Sequence, residues 1–354
     1  MDKPRPHIYA FDALRVLCAL GVVFLHAAAS GLRAGLSPQW QVLNLLASLA
    51  SSAVPLFFMM SGYLLFSNPA TAKLSTLGRR LVRLCVSLAT WTVLTALWRC
   101  LGAASPLRAF ALDLLRALRG PLIQPLWFQY TLIGIYLLSP LLYVGLQRAG
   151  RLGRALALTL ILLFSLRGML RAVLPAAWES KLGYSVLPAF QAFVSNLLLC
   201  LLGYFLGSWK RKLPDALLLC AALGTWLLIA LGTWLKSRAA GSYVSAFQSQ
   251  SAGFEVLLAS CLFLLSRQRL ERPSRMFGAL APLTLAVYLM HGLVLLIFAS
   301  LGLASQRLGG ILLETAAATI LCCLIARTLA SLRPLCFLFT GRPYASGIGW
   351  RRKP

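Results

Sequence analysis

Apolar residues recur along the chain in stretches about as long as a bilayer core is thick, roughly 20 residues each. Arg, Lys, Pro and Gly punctuate the gaps between them. The pattern predicts ten membrane-spanning helices, over approximately 8–31, 41–66, 81–101, 126–147, 154–174, 187–208, 214–235, 245–265, 276–302 and 309–332. No heptad run, low-complexity linker or soluble appended segment interrupts them, so residues 1–354 are expected to form a single all-α, polytopic membrane domain. The gap over 102–125 is the exception to plain connectors. It carries Arg108, Arg116 and Arg119 with Asp113, a composition suited to an amphipathic helix on the membrane surface.

Composition agrees with that reading. Of the 354 residues 59% are hydrophobic and 12% charged, against about 25% charged in a soluble domain. A water-soluble single core is therefore excluded. The charge of +26, from 34 Lys and Arg against 8 Asp and Glu, does not indicate nucleic-acid binding, which needs a basic face on a soluble fold. Here the cations sit in short gaps, with 22 on the side of the N-terminus and 11 on the other. That bias predicts cytoplasmic N- and C-termini in a multi-pass protein of the cell membrane. Lys3 and Arg5 before an apolar run ending Ala27-Ala28-Ala29 imitate a signal peptide, but Asp12 and Arg15 inside the run argue for an uncleaved first span. The nine cysteines lie almost entirely inside apolar runs without CxxC or Cys-His spacing, so they read as small hydrophobes and no metal site is expected.

Ionisable groups inside a membrane helix cost about 2.5–3.5 kcal/mol each on insertion scales, which makes them functional candidates. The first span holds three: Asp12, Arg15 and His26. Eleven residues separate Arg15 from His26, about three turns, so both share one helix face roughly 16 Å apart. Asp12, three residues before Arg15, is placed to pair with it. Such a face either pins the helix to its neighbours through hydrogen bonds or lines a cavity in which His26 acts as general base. Glu255 and Glu314 are further intramembrane carboxylates that either neutralise an Arg or line a substrate path. Arg79, Arg80 and Arg83 at the expected cytoplasmic edge are either topological flanking charges or an anion site.

The order Asp12-x-x-Arg15, ten residues, His26 resembles the signature of the membrane acyltransferase family 3. Other segments agree in order. Phe57-Phe58 leads to Ser61-Gly62-Tyr63, Arg80-x-x-Arg83 follows, then Leu126-Trp127-Phe128 with Tyr136-Leu-Leu-Ser139-Pro140, then Tyr288-x-x-His291. The resemblance extends over all ten spans. It implies acyl transfer, usually of acetyl from cytoplasmic acetyl-CoA, to a hydroxyl of an envelope glycan or lipid-linked sugar: an O-acetyltransferase that modifies polysaccharide, with the acyl-CoA as substrate and no permanently bound cofactor. Under it His26 is the base or forms an acyl-histidine, Arg15 and Asp12 serve the same face, and Arg79, Arg80 and Arg83 bind donor phosphates. Ser61, Tyr63, Trp127, Tyr288, His291 and Glu255 then shape the cavity or support it.

A secondary transporter or flippase for a small polar or lipid-linked substrate is the competing reading. No inverted repeat with paired broken spans is evident, and one span concentrates Asp, Arg and His on a single face, both of which favour the enzyme.

Overall fold

A computed structural model describes residues 7–174 and 188–341. Those residues are helical, without strands. The expected start of the sixth span at 187, and the basic residues Lys3, Arg5, Lys181, Arg342 and 351–353, lie outside them. Nine helices among the described residues are long and apolar enough to cross a membrane: Tyr9–Arg33, Pro38–Phe66, Leu74–Cys100, Gln124–Arg148, Arg151–Val173, Phe190–Ser208, Asp215–Ala240, Arg275–Ser300 and Leu308–Ser331. The helix Gly253–Arg269 is shorter, at 17 residues. Large exposed side chains such as Leu158, Leu162, Leu163 and Leu313 stud these helices while polar residues lie inside, the inverse of a soluble fold and the pattern lipid demands.

Four boundaries differ from the sequence expectation, each for a local reason. The second span breaks at Ser51–Ser52, between helices Pro38–Ala50 and Ala53–Phe66, because Pro55 offers no N–H to the Ser51 carbonyl. The third span begins at Leu74 instead of 81, so the three arginines lie within its first turns. The eighth begins at Gly253 instead of 245, because Gly241 closes the previous helix at φ 65° and a polar segment follows. The ninth is stepped at 281–283, around Pro282. A short helix, Arg333–Thr340, follows the last span and was not expected.

Backbone contacts group the chain into two units. The first comprises Met1–Asn68, Gly145–Ala281 and Ser305–Leu312. Its tightest seam joins Ala53–Phe66 to Pro188–Ser208. A Cβ on Gly62 would fall on the Cys200 carbonyl, one on Gly203 on the Met59 backbone, and one on Gly207 on the Tyr63 ring. Small residues let the backbones touch here, as in packed membrane helices. Met59 meets Gly203 and Tyr63 meets Gly207, while Gly62 meets Cys200 and Phe66 meets Tyr204. Both pairs advance four residues in the same sense, so the two helices run parallel. That is the direction required of the second and sixth spans.

The second unit comprises Pro69–Val144, Pro282–Ala304 and Leu313–Pro354. In it the expected amphipathic segment is the helix Pro106–Ala117. Its Asp113 is buried and paired with Arg99 at 2.8 Å and Arg116 at 3.0 Å, while Leu107, Leu115 and Leu118 remain exposed. The leucines form a stripe beside Arg108 and Arg116, the order an interfacial helix needs. Because Asp113 ties this helix to Leu74–Cys100, Asp113→Asn is expected to speed proteolytic cleavage near residue 117; an unchanged digestion pattern would show that apolar packing alone holds it.

Candidate functional site

In the first unit, Tyr9–Arg33 carries the first group of candidate residues. Asp12 is 7% exposed, and its nearest side-chain partner is His7, at 2.6 Å, with Arg15 further away at 3.9 Å. The anticipated Asp12–Arg15 pair is therefore the looser of two. His7 precedes the apolar run and was missed for that reason. Arg15 and His26 are both half-buried on the helix.

The N-terminal end of this helix rests on Ser61-Gly62-Tyr63, within the helix Ala53–Phe66. Phe11 meets the Tyr63 ring edge-on at 5.7 Å and Phe263 at 5.6 Å. Arg267 lies over Tyr63 at 5.0 Å and donates to the Gly207 carbonyl. Gly62 thus serves close packing, Tyr63 locks the first span against the seam, and Ser61, just before them in the helix, is half-buried. Glu255 is fully buried in the same unit and accepts a hydrogen bond from Ser51.

The second unit holds the remaining candidates. Arg79, Arg80 and Arg83 share one side of the first turns of Leu74–Cys100, with Arg79 and Arg83 exposed. None of them has a carboxylate partner among the described residues. Arg80 donates to Thr71 at 3.0 Å and lies over the Tyr136 ring at 5.9 Å. The Tyr-x-x-Ser-Pro motif explains that ring's position. Pro140 cannot donate to the Tyr136 carbonyl, and Ser139 donates to it instead, at 2.7 Å. Two motifs far apart in sequence thus converge, with Thr71 as the residue sequence reading missed. Three neighbouring guanidiniums with no carboxylate partner among the described residues thus form a basic cluster, and planar guanidinium forks are the donors that match phosphate geometry.

Trp127 opens its helix half-buried. The Tyr288-x-x-His291 turn supports the residues before it, since the buried Tyr288 hydroxyl donates to the Pro125 carbonyl at 2.8 Å and its ring meets Phe128 at 5.1 Å. A Cβ on Gly292 would approach Pro125 to 2.7 Å. His291 is fully buried, with Nδ1 3.3 Å from the Val287 carbonyl and its ring 5.6 Å from Tyr288. This geometry fits a role in placing Trp127. Among the described residues no group of His, Cys, Asp and Glu is arranged to hold a metal.

One polar group was not read from the sequence. Asn44, Ser48 and Ser51 lie along one stripe of the second span and bond to Gln248 and Glu255 across the unit. Their i, i+4, i+7 spacing inside an apolar run was the available signal.

No curated protein and no solved structure matches this chain. The family model described as an acyltransferase domain matches residues 8–327, a stretch that contains every motif above. The chain belongs to the acyltransferase 3 family and is a multi-pass membrane acyltransferase.

Proposed function

We propose that the protein transfers acetyl from cytoplasmic acetyl-CoA to a hydroxyl of an envelope glycan or lipid-linked sugar. The observation that carries this reading is the pairing, in one family member, of a half-buried membrane histidine with a carboxylate-free arginine cluster at the start of a span. The N- and C-termini face the cytoplasm in this reading, so that Arg79, Arg80 and Arg83 meet the phosphates of coenzyme A. His26, about 16 Å further along its helix than Arg15, takes the acceptor O–H proton as that oxygen attacks the thioester carbonyl. The C–S bond then breaks and the proton passes to the sulfur, giving ester and free thiol. Arg15 at the inner part of the same face serves the thioester arm, and Asp12 holds the Arg15 end through His7 and Arg15.

The donor site is tested by binding. Arg80→Ala with Arg83→Ala is expected to weaken acetyl-CoA binding by about 10- to 100-fold, since each charge-assisted contact is worth roughly 1.5–3 kcal/mol before solvent screening. Titration calorimetry of the purified protein reads this directly. Unchanged affinity in the double variant would reduce the cluster to topological flanking charge.

A further inference from the structure

The second span carries a polar stripe that neither its topology nor the donor site uses. Trp40, Asn44, Ser48 and Ser51 follow one another at helical spacing over about 16 Å of helix, and all four are buried. Each is engaged by the segment 241–255. Trp40 meets the Tyr243 ring edge-on at 6.3 Å. Tyr243 donates to Gln248 at 2.5 Å, and Gln248 donates to Asn44 at 3.0 Å and Ser48 at 2.9 Å. Ser51 donates to Glu255.

Three further facts give the stripe a direction. Glu255 is 0% exposed, yet its Oε2 has no hydrogen-bond partner among the described residues. A buried carboxyl oxygen left open inside a membrane protein is costly and calls for a donor. Residues 241–252 form irregular backbone beside the spans, where lipid forbids it unless it packs on protein or lines a path. Side-chain amides and hydroxyls fasten this loop to the second span, and ligand hydroxyls can replace such bonds one for one.

The third fact is depth. The first and second spans are antiparallel: Gly21 packs at Ala50 and Ala53, Gly31 at Leu43, and Trp40 donates to the Leu32 carbonyl. Interpolating between these contacts sets His26 level with Ala47 and Ser48. The stripe therefore runs from the Arg33 end of the first span down to the depth of the proposed base and about one turn beyond it.

We propose that this stripe and the 241–252 loop are the acceptor track, and that the acceptor is a neutral saccharide whose hydroxyls exchange with Gln248 and end on Glu255. The proposal rests on the acyltransferase function given above. The chemistry of the lining selects the class. Asn, Gln, Ser and Tyr line the track with mixed donors and acceptors, and the Arg33 charge is felt only at its Tyr243 end, a lining that suits sugar hydroxyls better than phosphate.

Cysteine accessibility tests the track without requiring turnover. Ser48→Cys and Gln248→Cys, with the parent protein's own cysteines as baseline, are exposed to a membrane-impermeant maleimide in intact cells and in inverted vesicles. Both are expected to label from the Arg33 side, while Leu49→Cys on the exposed apolar face does not. If Ser48→Cys fails to accumulate, Gln248→Cys carries the test. Absence of labelling from either side overturns the track. In parallel, Gln248→Ala is expected to lower acyl transfer about tenfold, the worth of one or two hydrogen bonds, with acetyl-CoA affinity within twofold of wild type. Equal loss of donor affinity would also overturn it, because the loop would then be merely structural. Labelling of the cysteine variants as expected, together with wild-type protein that transfers no acyl group, would sink the acyltransferase function instead.

Discussion

His26→Ala is expected to lower acyl transfer by about 10²–10⁴-fold, the range for removal of a general base, while the protein inserts normally and binds acetyl-CoA as before. The physical reason is separation of tasks. His26 lies on the same face as Arg15 but about three turns away, in a different unit from Arg79, Arg80 and Arg83. In the proposed mechanism His26 accepts only the acceptor proton and makes no contact with the donor phosphates. Donor affinity and chemistry should therefore divide cleanly between the two groups of variants. A His26→Ala protein with nearly wild-type transfer would remove the proposed base and leave the polar face of the first span as helix-pinning alone. His26→Gln, which keeps hydrogen bonding but not the basic nitrogen, is expected to fail as fully as the alanine variant.

The second large effect is structural. Gly62→Leu is expected to leave little folded protein, and Gly62→Ala to lower the apparent Tm by several degrees, read by size-exclusion of detergent extracts after heating. The added Cβ meets the Cys200 carbonyl, which belongs to backbone. No rotamer change relieves it, so the two parallel helices must separate along a seam that also carries Met59 against Gly203 and Tyr63 against Gly207. Overpacking costs about 1–3 kcal/mol where side chains yield, and rigid backbone puts this site at the upper end. Ser61→Ala, one residue away and half-buried, is the matched control and should fold normally. A fully stable Gly62→Leu protein would show that the seam is looser than described.

These two predictions differ in how far the sequence alone supported them. The span pattern was legible because lipid imposes a length and apolarity that few residues violate. The Arg15–His26 spacing was legible because both residues sit on one unbroken helix. Elsewhere the deciding contact was remote. Gly62 reads only as the middle of the Ser61-Gly62-Tyr63 motif until the helix at Cys200 is beside it. Asp12 looked like the partner of Arg15 because helical spacing supplies that pairing automatically, whereas His7 reaches it from the irregular chain before the helix.

The polar stripe shows the same limit. Asn44, Ser48 and Ser51 are weakly polar residues in an apolar run, and only Gln248 and Glu255, some 200 positions away in sequence, turn them into a connected network. The late start of the Gly253–Arg269 helix follows from that network too. Residues 241–252 give up helical bonds because side chains of the second span and Ser237 hold them instead.

The most direct test of the central claim is transfer itself. Membranes containing the wild-type or His26→Ala protein are incubated with acetyl-CoA carrying an isotopically heavy acetyl group, and the envelope glycans and lipid-linked sugars are analysed by mass spectrometry. Heavy acetyl on a sugar hydroxyl with the wild type, lost with His26→Ala, is the predicted result. Heavy acetyl that appears equally with both proteins, or on no envelope molecule while acetyl-CoA remains unbound, would contradict the account.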